Sequence, residues 1–149
     1  MSLPPIRMAT PSDAKCYLTA SKWFLAGAEA LAQCTAKELT SCVFLAAQSL
    51  ECALKAYLTS TAPNESEMKR ELMKLSVRHN LEKLWEKSSN QGLKVPHDSS
   101  TWCVILNAGH SKPYYMRYPM GGINITNPVT RTMIDELKAI VNEVDCKVK

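Results

Sequence analysis

Leu39, Val43, Ala46, Leu50, Ala53 and Tyr57 follow one another at intervals of four, three, four, three and four residues. Only an α-helix brings side chains back to one face at that rhythm, because a turn takes about 3.6 residues. Thr35-Ala36-Lys37-Glu38 has the form of a capping box, so the helix starts there and runs to about Thr61. An apolar face of that length has to be covered by other elements. The small residues Ala46, Ala47 and Ala53 let a neighbouring backbone come close. The chain therefore has to provide further helices to pack on this one.

It does so on both sides. Thr10-Pro11-Ser12-Asp13 offers an N-cap, a proline at the first helical position and an acid in the first turn. The helix it opens runs to about Gln33, with Tyr17, Phe24, Ala28 and Leu31 as its expected buried face. Asn64-Glu65-Ser66-Glu67 caps a shorter helix to about Leu75, and His79-Asn80 opens another that ends near Gly92. Asp98 or Ser99 caps a segment through Trp102, Ile105 and Leu106, stopped by Gly109 and Pro113. Asn127-Pro128 restarts a last helix, striped by Ile134, Leu137, Val141, Val144 and Val148. No alternating strand pattern or internal repeat interrupts the series. The fold class is all-α, a single domain over residues 1–149 with residues 1–9 as a loose arm.

Bulk properties narrow the function. A chain of 149 residues buries roughly two-thirds of its unfolded surface, enough for a core that needs no staple. The 18 basic residues divide into five before residue 61, seven from 61 to 110 and six after it, with four, six and four acids alongside, so charge alone marks no nucleic-acid surface. Six cysteines form no C-x-x-C pair and fall mostly among apolar residues, as reduced thiols packed in a core do. The longest apolar runs are far too short to span a bilayer, and the first residues lack the form of a signal peptide. These features lead us to expect a cytoplasmic protein with no membrane association.

Familiar chemistry is missing from the sequence. His79, His97 and His110 offer no i, i+4 pair of ligands, so no metal is expected, and no glycine-rich fingerprint calls for a cofactor. No G-x-S-x-G turn is present. Glu51 and Lys55, one turn apart, are placed to form a surface ion pair worth a few tenths of a kcal/mol. From Ser111 to Thr126 helical periodicity stops, and three of the five tyrosines gather around one arginine in Tyr114-Tyr115-Met116-Arg117-Tyr118. Aromatic rings give bases a stacking face and a guanidinium gives phosphate a bidentate fork. The same residues can instead pin the loop to the bundle, with Arg117 paired to an acid such as Glu51 and His79 capping its own helix.

Three segments carry a resemblance. Ala46-Ala47-Gln48-Ser49-Leu50-Glu51-Cys52-Ala53-Leu54-Lys55-Ala56-Tyr57-Leu58 has a Q-x-x-E-x-x-x-K face. His79-Asn80-Leu81-Glu82-Lys83-Leu84 has an H-D/N-L-x-x-L helix start, and Tyr114-Tyr115-Met116-Arg117-Tyr118-Pro119 is a Tyr-rich R-Y-P segment. In this order, across about residues 40–120, they resemble the HEPN family of small helical nucleotide-binding domains.

That resemblance implies an up-and-down bundle of four to five main helices with a long irregular loop before the last. It also implies a homodimer, and a setting among toxin-antitoxin pairs, defence systems or nucleotide-linked modules, where a nucleotidyltransferase-type protein is a partner. Ribonucleases of the family need no metal. They depend on an arginine followed four to six residues later by a histidine, the first holding the scissile phosphate and the second acting as acid or base. Here Arg117 is followed by Tyr118, Pro119, Met120, Gly121, Gly122 and Ile123, with no histidine beyond, while His110 lies seven residues before it. The resemblance therefore implies a catalytically silent module. It binds a nucleotide or RNA through Arg117, Tyr118, Tyr115 and Tyr114, assisted by His79, Lys55 and Glu51. The alternatives are a metal-independent endoribonuclease using Arg117 with His110 or His79, and a pure protein-interaction domain.

Overall fold

From Ala53 to Thr59 every residue of the long central helix is buried, polar ones included. A helix buried all round is one that others surround. The computed structural model, which describes residues 11–33, 39–112, 114, 116 and 129–148, has five helices packed on this one. In chain order they are α1 (Asp13–Ala32), α2 (Leu39–Thr61), α3 (Glu65–Met73), α4 (Leu81–Asn90), α5 (Thr101–His110) and α6 (Arg131–Lys147). Each of the other five touches α2, and a single apolar cluster draws on all six. No strand occurs among the described residues, and no helix among them is long and apolar enough to cross a membrane. The all-helical bundle expected from periodicity is thus the observed architecture.

Helix ends follow capping chemistry with small shifts. Ser12, not Thr10, caps α1, its hydroxyl accepting from the Lys15 amide. Asn64 and Asn80 cap α3 and α4, their side-chain oxygens accepting from the amides of Glu67 and Lys83. Ser100 stands at the N-cap of α5, one or two residues past the expected Ser99 or Asp98, and α5 runs through Gly109 to His110. Gly92, at φ 99°, takes the left-handed turn that ends α4. Thr130 caps α6. The arm 1–9, the capping box Thr35–Glu38, Asn127-Pro128 and most of the loop from Ser111 to Thr126 lie outside the described residues.

The buried face of α1 differs from the expected one. Ala14, Leu18, Ser21, Leu25 and Ala28 are buried, whereas Tyr17, Phe24 and Leu31 are only half-buried. The reason is close approach to α2. Ser21 Oγ donates to the Ser49 carbonyl at 2.8 Å, and Ser49 Oγ donates to the Ser21 carbonyl at 2.9 Å. Such a reciprocal clasp forms only where two helices meet at small residues, and it satisfies hydroxyls that burial would otherwise penalise.

Asn107 on α5 makes a comparable bridge. Its Oδ1 accepts from the buried Leu81 amide at 2.8 Å, and its Nδ2 donates to Glu82 Oε2 at 2.7 Å. The first amides of a helix have no partner within it, so Asn107 supplies one from another helix. Asn107→Ala leaves the Leu81 N–H buried and unpaired. It is expected to cost about 1–3 kcal/mol in denaturant unfolding, and an unchanged midpoint would contradict this role.

Candidate functional site

Glu51 lies on α2 where α1, α5 and the turn before α4 converge, and it is 4% exposed. A carboxylate there survives only if its lone pairs are taken. Lys55, one helical turn on, donates to Oε1 at 2.6 Å, and His110 hydrogen-bonds Oε2 through Nε2. His79 Nδ1 stands 3.1 Å from both oxygens. Burial pushes the Glu51 carboxyl upward, but the His110 hydrogen bond and the Lys55 charge outweigh it and hold the group down at about 2. An ionised carboxylate only accepts, so both facing ring nitrogens carry hydrogen: Nδ1–H on His79 and Nε2–H on His110. The expected surface ion pair of Glu51 and Lys55 is therefore a buried one, with two imidazoles added.

Backbone geometry delivers both rings. After α3 the chain makes tight turns, Arg78 N to Lys74 O at 2.8 Å and Asn80 N to Val77 O at 3.0 Å, which set His79 just before the Asn80 cap. His79 thus does not cap its own helix. His110 ends α5 and is 1% exposed. Beyond it the chain folds back, Met116 N donating to Gly109 O at 3.1 Å. That return places the Tyr114 ring edge-on to His79 at 5.6 Å between centroids, with the two histidine rings 6.1 Å apart. Tyr114 holds φ at 65°, a left-handed conformation that costs a bulky residue of order 1–3 kcal/mol and recurs at functional sites. On the far side, Lys55 Nζ lies 5.9 Å from the centre of the Tyr17 ring.

A cleft of about 320 Å³ opens over this cluster, lined by Ser76, His79, Asn80, Ser111, Lys112 and Tyr114 together with Leu75. It combines two cationic or proton-bearing groups, an aromatic ring and several hydroxyl or amide groups. Of the other surface clefts, one of about 560 Å³ sets Glu82, Glu86 and Asp98 against Lys83 and His97, a lining in which acids outnumber bases and which disfavours phosphate. In one of about 230 Å³ the charged lining residues pair with one another, Arg131 with Asp135 and Lys138 with Glu29. Among the described residues, the buried side-chain polar atoms with no hydrogen-bond partner are His110 Nδ1 and Arg78 Nε, one within the cluster and one adjacent to His79 in the chain. Unsatisfied buried groups are rare, so His110 Nδ1 singles out the cluster it belongs to.

Comparison with family models, with curated protein sequences and with solved structures finds no match to this chain. Of the residues expected at the site, Glu51, Lys55, His79 and Tyr114 are brought together, although they come from three separate parts of the sequence. Glu51 and Lys55 lie beneath His79 rather than in the cleft, so they hold the site and do not line it. Arg117, Tyr118 and Tyr115 lie outside the described residues.

His110, which sequence spacing offers only as a distant substitute for a ribonuclease histidine, is a full member of the cluster. No two histidines are one helical turn apart in the sequence, the spacing that would signal metal ligation. Glu51, His79 and His110 nevertheless converge from different segments, with ligand atoms all within 4.8 Å. Ser76, Ser111 and Lys112 carried no sequence signal. Cys52, next to Glu51, has its thiol pushed up to about 12 by burial and then by the Glu51 charge, which removes it as a nucleophile.

Proposed function

We propose that this chain is a HEPN-like helical module, dimeric and catalytically silent, that binds a nucleotide or RNA in the cleft beside His79. The observation that carries the reading is the meeting of Glu51 and Lys55, His79, and Tyr114 around one buried carboxylate, since these residues come from the three segments that resemble the family. Lys112 and His79 meet phosphate, the Tyr114 ring stacks on a base, and Ser76, Asn80 and Ser111 offer hydrogen bonds. Arg117 and Tyr118, a few residues further on, add a guanidinium and a second ring. A cleft of about 320 Å³ matches a mononucleotide unit rather than a duplex. A homodimer, a nucleotidyltransferase-type partner and a cytoplasmic setting, in which the five described cysteines stay free, belong to the same proposal.

The test is thermal unfolding with nucleoside monophosphates and short single-stranded RNAs. A ligand at a hundred times its dissociation constant stabilises the chain by roughly 2.7 kcal/mol. His79→Ala is expected to weaken binding about tenfold or more, the loss of one charge-assisted contact, and so to cut that stabilisation to about half or less at the same ligand concentration. Stabilisation that is equal in wild type and variant would move the site elsewhere.

One observation favours a second reading. A carboxylate behind His79 fixes its ring and tautomer, as an acid-base catalyst requires, so a metal-independent endoribonuclease would use His79 with Arg117. His110, buried against Glu51, is the less suited of the two histidines. Cleavage of RNA in excess chelator, abolished by His79→Ala, would establish this reading over the silent one.

A further inference from the structure

We propose that Glu51, His79 and His110 form a site for one divalent transition-metal ion, zinc being the ion the donor set suits best. Two imidazoles and one carboxylate are the ligands of open zinc and non-haem iron sites. Here they come from three separate segments, α2, the turn before α4, and the end of α5. His79 Nδ1 and His110 Nε2 both converge on Glu51 Oε2, and the three ligand atoms lie within 4.8 Å of one another. In a tetrahedral zinc shell with bonds of about 2.0–2.1 Å, neighbouring ligand atoms stand roughly 3.3 Å apart. The 3.1 Å from His79 Nδ1 to Glu51 Oε2 is close to such an edge.

Burial adds preorganisation. The side chains of His110, Glu51 and His79 are 0%, 5% and 17% exposed, so little ordering remains to be done when an ion enters. The two oxygens have different partners: Lys55 holds Oε1 and His110 holds Oε2, with His79 Nδ1 at 3.1 Å from each. An ion therefore takes the place of the N–H hydrogens around Oε2 while Lys55 continues to hold Oε1 from outside. Each ligating nitrogen gives up its hydrogen, to the other ring nitrogen or to solvent, and nothing is oxidised or reduced. A water or other oxygen ligand completes the shell from the cleft that His79 lines.

Two features keep the affinity moderate. The Lys55 ammonium opposes a second positive charge, and His110 Nδ1 has no outer partner among the described residues, a lack that typically costs about 10–100-fold. Micromolar binding is the expectation. This inference does not depend on nucleotide binding, and its test uses no nucleotide or RNA.

The experiment titrates cobalt(II) into the full chain after removal of metal by chelator. The expected result is saturation at one equivalent, visible bands of four-coordinate cobalt without a near-ultraviolet sulfur charge-transfer band, and displacement by zinc. His79→Ala, altering the most exposed ligand, should keep its helical circular dichroism and lose about tenfold or more in affinity. Absence of saturable binding, affinity unchanged in His79→Ala, or a sulfur band showing that thiols take the ion would each overturn the proposal.

Discussion

Glu51→Gln lowers the unfolding free energy by about 3–5 kcal/mol at neutral pH, the cost of leaving a buried charge without its partner. Glutamine keeps the shape of the side chain but not its charge, so the Lys55 ammonium, 6% exposed, loses its counterion. The amide nitrogen also points a donor at groups that themselves donate. The wild type should show the same dependence through pH. Its Glu51 carboxyl is held at about 2 in the folded chain, against about 4.3 when unfolded. A depressed folded value gives stability that is complete above the unfolded value and is lost as pH falls through the folded one. Between about pH 5 and pH 2, on the order of 3 kcal/mol should disappear from the wild type, and much less from Glu51→Gln. Urea unfolding in excess chelator at several pH values measures both. A variant within 1 kcal/mol of wild type at pH 7, or parallel acid profiles, would show that the cluster contributes little to the fold.

Trp85→Ala is expected to cost a similar amount, about 3–5 kcal/mol, for a different reason. Trp85 is 1% exposed at the centre of α4, with its ring edge against Trp102 at 5.9 Å and its indole N–H donating to the Pro96 carbonyl at 2.8 Å. Truncation leaves a cavity that helices held by many neighbours cannot fully close, and it leaves the Pro96 carbonyl unpaired. Trp85→Phe separates the two contributions, because it keeps most of the packing and loses only the hydrogen bond. It should fall short of the alanine variant by at least 1 kcal/mol. Circular dichroism in urea follows both variants without relying on indole fluorescence. Equal losses in the two would mean that the hydrogen bond, not the packing, dominates.

The helices were legible because 3.6-residue periodicity and capping residues are local signals. Asn64 and Asn80 marked α3 and α4 by the same chemistry that the structure displays. On α1 the spacing rule finds Ala28 but also picks Tyr17, Phe24 and Leu31, because it cannot sense the close packing against α2 that selects Ala14, Leu18, Ser21 and Leu25. At the site, the i, i+4 spacing of Glu51 and Lys55 could be read, but their burial could not. Burial depends on His79 and His110, which arrive from 28 and 59 residues away. The same distances hid the convergence of three possible metal ligands, since spacing rules see only pairs on one helix. Ser76, Ser111 and Lys112 are ordinary loop residues until the turn before α4 and the fold-back after α5 bring them to one cleft.

The most direct test of the account is gel retention of mixed single-stranded and structured RNA by wild type, His79→Ala and Arg117→Ala in excess chelator, with cleavage read on the same gel. The account predicts intact RNA retained by wild type, and retention weakened about tenfold or more in both variants while their helical content is unchanged. Retention indifferent to His79 and Arg117, or no retention of any RNA together with no stabilisation by nucleotides, would contradict it.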